Sequence, residues 1–232
     1  MNLSDIILDN NKLKQEIIDS TRENERNRCL SIKIQSTYRG YCIRKYLSLI
    51  EDGMSYEIMM NELERYNNNL VQVRDLNTRL SKKKIRHENF PSHISENIAK
   101  FAIFKKYKIM PSWDTDKGDI IINKSDLFMQ FEIKAFMSSG PSSFGPTENW
   151  DWLYFVDATE TLHLNFKIYE IKLSNKSQTF RSIRLNKKET YGEIADSGRR
   201  PRGCFETIFK KQLGDKCKLI FDGHISELDN TT

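Results

Sequence analysis

The sequence predicts an α/β protein: a mostly helical N-terminal region, then a central mixed β-sheet flanked by helices. Three observations carry this. Residues 1–85 contain no proline and place apolar residues at helical spacing. Residues 94–106 carry one apolar helical face. After Pro111 the chain changes to short runs rich in β-branched and aromatic residues, separated by polar turns.

The elements follow in order. From Met54 the series Met54, Ile58, Leu63, Tyr66, Leu70, Val73, Leu76 and Leu80 steps by helical intervals. The Asn67-Asn68-Asn69 run is expected to interrupt this helix. Lys82-Lys83-Lys84 reads as its solvated end, favoured by the helix dipole. Pro91 stops what precedes it, and Ser92 is expected to cap a helix from Ile94 to Lys106, with Ile94, Ile98, Phe101, Ala102 and Phe104 inward. Asp119–Ile122, the polar turn Asn123–Asp126 and Leu127–Phe136 make a β-hairpin. Met137–Asn149, with four serines, two prolines and two glycines, reads as a loop. Trp152–Asp157 and Leu164–Leu173 are two further strands. Arg181–Arg202 is basic and irregular. Phe205–Leu213 is a short closing helix, and Lys218–Asp222 a last strand. The organisation expected is a helical extension over 1–85 and a second domain over 86–232.

Composition narrows the function. The 232 residues include thirteen Phe, nine Tyr and three Trp, enough aromatic surface to argue against disorder. No apolar run approaches the roughly 18–20 residues of a membrane span. The start, MNLSDIILDNNKLKQE, has early acids and a short apolar patch, unlike a secretory signal. Cys29, Cys42, Cys204 and Cys217 form no C-x-x-C pair and no zinc spacing, so free thiols in a reducing compartment are expected. No phosphate loop or G-x-G-x-x-G occurs, which argues against a nucleotide-driven enzyme. The four histidines are isolated and read as structural or surface residues.

The second hairpin strand carries the chemistry. Gln130, Glu132 and Lys134 share one face, and Phe131, Ile133 and Ala135 the other. Asp119 opens the neighbouring strand. An Asp and a Glu on adjacent strands can converge on one divalent cation with oxygen ligands, as Mg²⁺ requires. Lys134 points the same way and can orient water or offset charge on a phosphate. Taken alone, Glu-x-Lys is short, and a solvated strand face is the better explanation of it. A second copy, Glu170-Ile171-Lys172, has no Asp-bearing hairpin before it and is expected to be a chance match.

An ordered series of motifs is more specific. Phe90-Pro91-Ser92-His93-Ile94-Ser95-Glu96-Asn97-Ile98 is followed by Pro111-Ser112-Trp113-Asp114, Gly118-Asp119 and Glu132-Ile133-Lys134. Then come Gly140-Pro141-Ser142-Ser143-Phe144-Gly145-Pro146-Thr147-Glu148, Trp150-Asp151, Leu153–Ala158 and Arg199-Arg200-Pro201-Arg202. Over roughly 86–221 the chain resembles type II restriction endonucleases of the PD-(D/E)xK superfamily. That resemblance implies a restriction-endonuclease-like core. It places the metal-binding acids on Asp119 and Glu132, the catalytic lysine on Lys134, and an acid from the preceding helix on Glu96. Gly118 stands at the family's nominal proline, a common departure. The implied reaction is Mg²⁺-dependent hydrolysis of double-stranded DNA at specific sequences by an activated water, leaving a 5′-phosphate. Cutting both strands would most simply need a homodimer.

Between Arg181 and Lys218 there are eleven Lys/Arg and five Asp/Glu, an excess larger than the net +5 of the whole chain. Such a segment attracts a polyanion. Arg199, Arg200 and Arg202, with Ser142 and Ser143 of the preceding loop, are the candidate DNA contacts.

Ile34-Gln35-Ser36-Thr37-Tyr38-Arg39-Gly40-Tyr41-Cys42-Ile43-Arg44 resembles an IQ motif, with Ile34, Gln35, Arg39, Gly40 and Arg44 at its constrained positions. That implies an amphipathic helix bound by calmodulin or an EF-hand light chain. An amphipathic helix docking on the chain's own domain, or on a twin, fits the same pattern. A working IQ motif implies a eukaryotic cell, and its union with a restriction-type nuclease fits a large DNA virus of a eukaryotic host. The expected location is intracellular, cytoplasmic or nuclear, with no membrane partner. Two other functions share the fold: a calmodulin-binding adaptor with a non-catalytic DNA-binding domain, and a structure-selective DNA repair nuclease.

Overall fold

The computed structural model describes residues 54–80, 85, 88–113, 119–124 and 127–229. The IQ-like segment, Lys82–Lys84 and Asp114–Gly118 lie outside the described residues. The described residues belong to one compact unit, 47–232.

Helix α1 (Tyr56–Arg79) starts at Ser55, whose side chain accepts a hydrogen bond from the Ile58 N–H. It buries Met59, Leu63, Tyr66 and Leu70. The asparagine run does not break it. Asn67 donates to the Thr161 carbonyl at 2.8 Å and accepts from the Thr161 hydroxyl at 2.9 Å, so a tertiary pair supports a residue with poor helix propensity. Helix α2 (Ser92–Tyr107) begins one residue after Pro91, and no side chain caps it. Ser92 is the first helical residue rather than the cap, and its carbonyl accepts from the Ser95 hydroxyl. Every residue from His93 to Ile103 is buried, so α2 is a core helix rather than a one-faced surface helix.

The strands are β1 (Ser112–Trp113), β2 (Ile120–Lys124), β3 (Leu127–Phe136), β4 (Pro141–Ser143), β5 (Trp152–Asp157), β6 (Asn165–Ile171), β7 (Arg202–Cys204) and β8 (Cys217–His224). Six make a central mixed sheet in the order β1-β2-β3-β5-β6-β8. Only β3 and β5 run parallel; the other pairings are antiparallel. The α/β class and the hairpin expected from the sequence are therefore present. Strands β4 and β7 form a small separate ribbon, so Met137–Asn149 is not wholly a loop. The basic stretch is also more ordered than expected. It holds two short helices, α3 (Gln178–Arg181) and α4 (Tyr191–Asp196), the latter with a reciprocal Thr190–Glu193 cap. Phe205–Lys210 is a π-helical turn that runs into one α-turn, Lys211–Leu213.

The sheet separates two apolar clusters. One contains α1, α2 and the Phe131, Ile133, Tyr154, Val156, Phe166 and Ile168 face. The other contains Leu153, Phe155, Tyr169 and Ile171 with Phe144, Trp150, Phe180, Tyr191, Phe205 and Phe209. Gly203 fits the second cluster because a Cβ there would lie 2.7 Å from the Phe209 ring. The ribbon is thereby held against the sheet face that carries Glu132 and Lys134.

Candidate active site

The register of the hairpin builds the site. Ile120 pairs with Phe131, so Asp119 lies beside Glu132 as β2 begins. On that side, strand pairing ends at Ile120. The Asp119 carboxylate takes over and accepts from the Ile133 N–H at 2.7 Å, while the Asp119 N–H donates to the Phe131 carbonyl at 3.3 Å. A backbone donor that would otherwise lack a partner thus fixes the carboxylate.

Glu132 and Lys134 form an ion pair. Glu132 is 4% exposed, and the Lys134 side chain 19%. This polar face of β3 is therefore not a solvated strand face. The Lys134 ammonium lies 5.4 Å from the centre of the Phe144 ring. Burial, then the charges of Asp119 and Glu148, push Glu132 up to about 8, against the lowering influence of Lys134. For Lys134, burial works to lower the pKa, but Glu132, Asp119 and Glu148 outweigh it and the ammonium is held above its ordinary value. Burial thus favours the protonated, neutral form of Glu132, whereas the neighbouring acids, working against burial, favour the protonated form of Lys134.

Glu148 is the acid that the sequence reading passed over. It lies in the loop between β4 and β5, and its charge acts on Glu132, Lys134 and the Tyr191 phenol. A lone glutamate in a serine- and glycine-rich loop has no diagnostic spacing. The one local sign is Gly145, where a Cβ would come within 2.5 Å of the Glu148 carboxylate.

Glu96 is 1% exposed on α2, the helix that packs over the Phe131 and Ile133 face of β3. It is not among the main groups acting on Glu132 or Lys134. The second Glu-x-Lys also belongs to that face. Glu170 is buried and accepts from the Tyr107 hydroxyl at 2.5 Å, the Tyr154 hydroxyl at 3.1 Å and Lys106 at 3.0 Å. Its work is to tie α2 to β6.

The ribbon gathers most of the candidate DNA contacts. Arg200 donates to the Ser143 hydroxyl at 3.4 Å and lies 3.9 Å from Glu148. Arg202 is exposed on β7 and pairs in register with Ser143. Ser142 is buried, and its hydroxyl has no hydrogen-bond partner among the described residues. Arg199 turns away to pair with Glu189.

Asp119 and Glu132 offer the oxygen donors that a hard cation needs. Among the described residues no three His, Cys, Asp or Glu side chains converge as a cation cage.

Comparison with known proteins is in keeping with this arrangement. Over 135 residues the chain is 29% identical to the type II restriction enzyme Bsp6I of Bacillus sp. (strain RFL6), covering 56% of this chain and 70% of that enzyme. No solved structure matches it. The Bsp6I restriction endonuclease family matches residues 58–211, a span that includes Asp119, Glu132, Lys134, Glu148 and the ribbon but not the IQ-like segment. The chain belongs to the Bsp6I restriction endonuclease family.

Proposed function

We propose that this protein is a Mg²⁺-dependent, sequence-specific endonuclease that hydrolyses double-stranded DNA. The observation that carries the reading is the meeting of Asp119, Glu132 and Lys134 within the span matched by the restriction endonuclease family. Asp119 and Glu132 would hold Mg²⁺, which when bound polarises the scissile phosphate and acidifies its water. Lys134 faces the same volume with a cation kept charged by three carboxylates. It offsets the charge that builds on the phosphate and orients the attacking water. Asp119 is pre-oriented by the Ile133 N–H, so little reorganisation is needed. Arg200, Arg202 and Ser143 lie on the ribbon beside this face and would contact the DNA backbone. Two copies related by a two-fold axis would cut both strands. Calmodulin or an EF-hand light chain remains the partner proposed for 34–44; failure of the purified 1–60 segment to bind calmodulin, with or without Ca²⁺, would remove it.

The test is incubation of the full chain with unmethylated genomic DNA and Mg²⁺, with EDTA and Lys134→Ala as parallel controls. Discrete fragments with common ends, lost in both controls, are the expected result. Intact DNA despite measurable DNA binding would replace the enzyme reading with that of a DNA-binding scaffold.

A further inference from the structure

We infer that Glu148 is a positioning residue that takes the Lys134 ammonium from Glu132 when a divalent cation enters the site. The inference rests on the reading of Asp119 and Glu132 as the cation-binding pair. Lys134 is ion-paired to Glu132, one of the two carboxylates the cation needs. A divalent cation and an ammonium repel each other strongly in a buried site. Lys134 therefore needs another carboxylate within reach, or it competes with the cation.

Glu148 has the attributes of that acceptor. The Lys134 ammonium stands over the Phe144 ring, 5.4 Å from its centre, and the Glu148 carboxylate folds back on Gly145, the next residue, so the loop brings the two groups to one place. One carboxylate oxygen is buried and has no hydrogen-bond partner among the described residues. The other is tied only loosely, to Arg200 at 3.9 Å. The backbone beside it is held separately, since the Glu148 carbonyl accepts from the Asn175 side chain at 2.6 Å. Its side chain can thus serve Lys134 without disturbing the loop. Gly145 keeps the space open, because any Cβ there would meet the Glu148 side chain. The Phe144 face beneath Lys134 gives the ammonium a favourable surface to cross.

The experiment is Mn²⁺ binding to the full-length, DNA-free protein, followed by the electron paramagnetic resonance signal of the free ion. Wild type, Lys134→Ala, Glu148→Gln and the double variant form the cycle, with Glu132→Gln and Asp119→Asn as controls. Glu148→Gln should weaken Mn²⁺ binding about tenfold, the scale of losses from removing groups that orient metal ligands. Adding Lys134→Ala to it should restore affinity, since the competing ammonium is then gone. Glu148→Asp keeps the charge and should fall between wild type and Glu148→Gln; an Asp variant no tighter than Gln overturns the inference. No change in Glu148→Gln also overturns it. A loss that Lys134→Ala does not restore overturns it in favour of direct ligation by Glu148. Binding unaffected by Glu132→Gln and Asp119→Asn would instead refute the underlying assignment of the cation pair.

Discussion

Glu132 sits nearly out of solvent, and burial with the charges of Asp119 and Glu148 pushes its carboxyl up to about 8 from an ordinary 4.5. The folded state therefore binds more protons than the unfolded state between those two values. Stability must fall as pH rises through that window and level off above it. Glu132→Gln, which cannot ionise, should flatten this part of the profile. Urea unfolding in EDTA at pH 5, 6.5 and 8 checks it; parallel slopes for wild type and variant would refute it. Glu170, equally buried, has its oxygens satisfied by the Tyr107 and Tyr154 hydroxyls and Lys106. Glu170→Ala leaves the buried Tyr154 hydroxyl without its acceptor and should cost about 1–3 kcal/mol of stability. It should leave Mn²⁺ affinity unchanged, since Glu170 lies on the other face of the sheet. A stable Glu170→Ala protein with weakened metal binding would reverse the assignment of the two Glu-x-Lys motifs.

At the scale of elements, the hairpin was legible because β2 and β3 combine an apolar run, a polar turn and strict alternation. The pair Asp119 and Glu132 followed from its register. The ribbon was not legible. Strands of three residues carry no period, and their serines, prolines and glycines spell a loop until Ser142 finds Gly203. The burial of Glu132 and Lys134 was hidden for the same reason. Alternating polar residues look solvated unless one knows that Phe144 and the loop before Glu148 cover them. The asparagine run misled because its support, Thr161, lies 94 residues away. These tertiary dependences can be weighed. Gly203→Ala would press a methyl into the Phe209 ring and should cost about 1–3 kcal/mol, as overpacking does. Its effect on urea unfolding should be accompanied by weaker DNA binding, because the ribbon carries Arg202. Wild-type stability in Gly203→Ala would mean that the ribbon is not seated against Phe209.

At the scale of the whole molecule, the excess of positive charge between Arg181 and Lys218 looks larger in the sequence than it acts in the fold. Arg181 pairs with Asp196, Arg199 with Glu189 and Lys210 with Glu206. Exposed pairs of this kind are worth only about 0–1 kcal/mol each. They lower the standing field but yield readily to a phosphate. Arg202 differs: it is exposed on the ribbon, beside the face that holds Glu132 and Lys134. It should therefore carry a phosphate contact that Arg199, turned toward Glu189, does not. Binding of a generic duplex, followed by fluorescence anisotropy across a salt series in EDTA, separates the two. Each phosphate contact contributes a slope of about −0.9 to the dependence of log affinity on log salt. Arg202→Ala should make the slope shallower by about that amount. Arg199→Ala should change it by much less. Equal slopes for wild type and Arg202→Ala would move the DNA off the ribbon. The approach to the catalytic face would then have to be sought among the other cations of the Arg181–Lys218 segment, starting with the exposed Lys187 and Lys188.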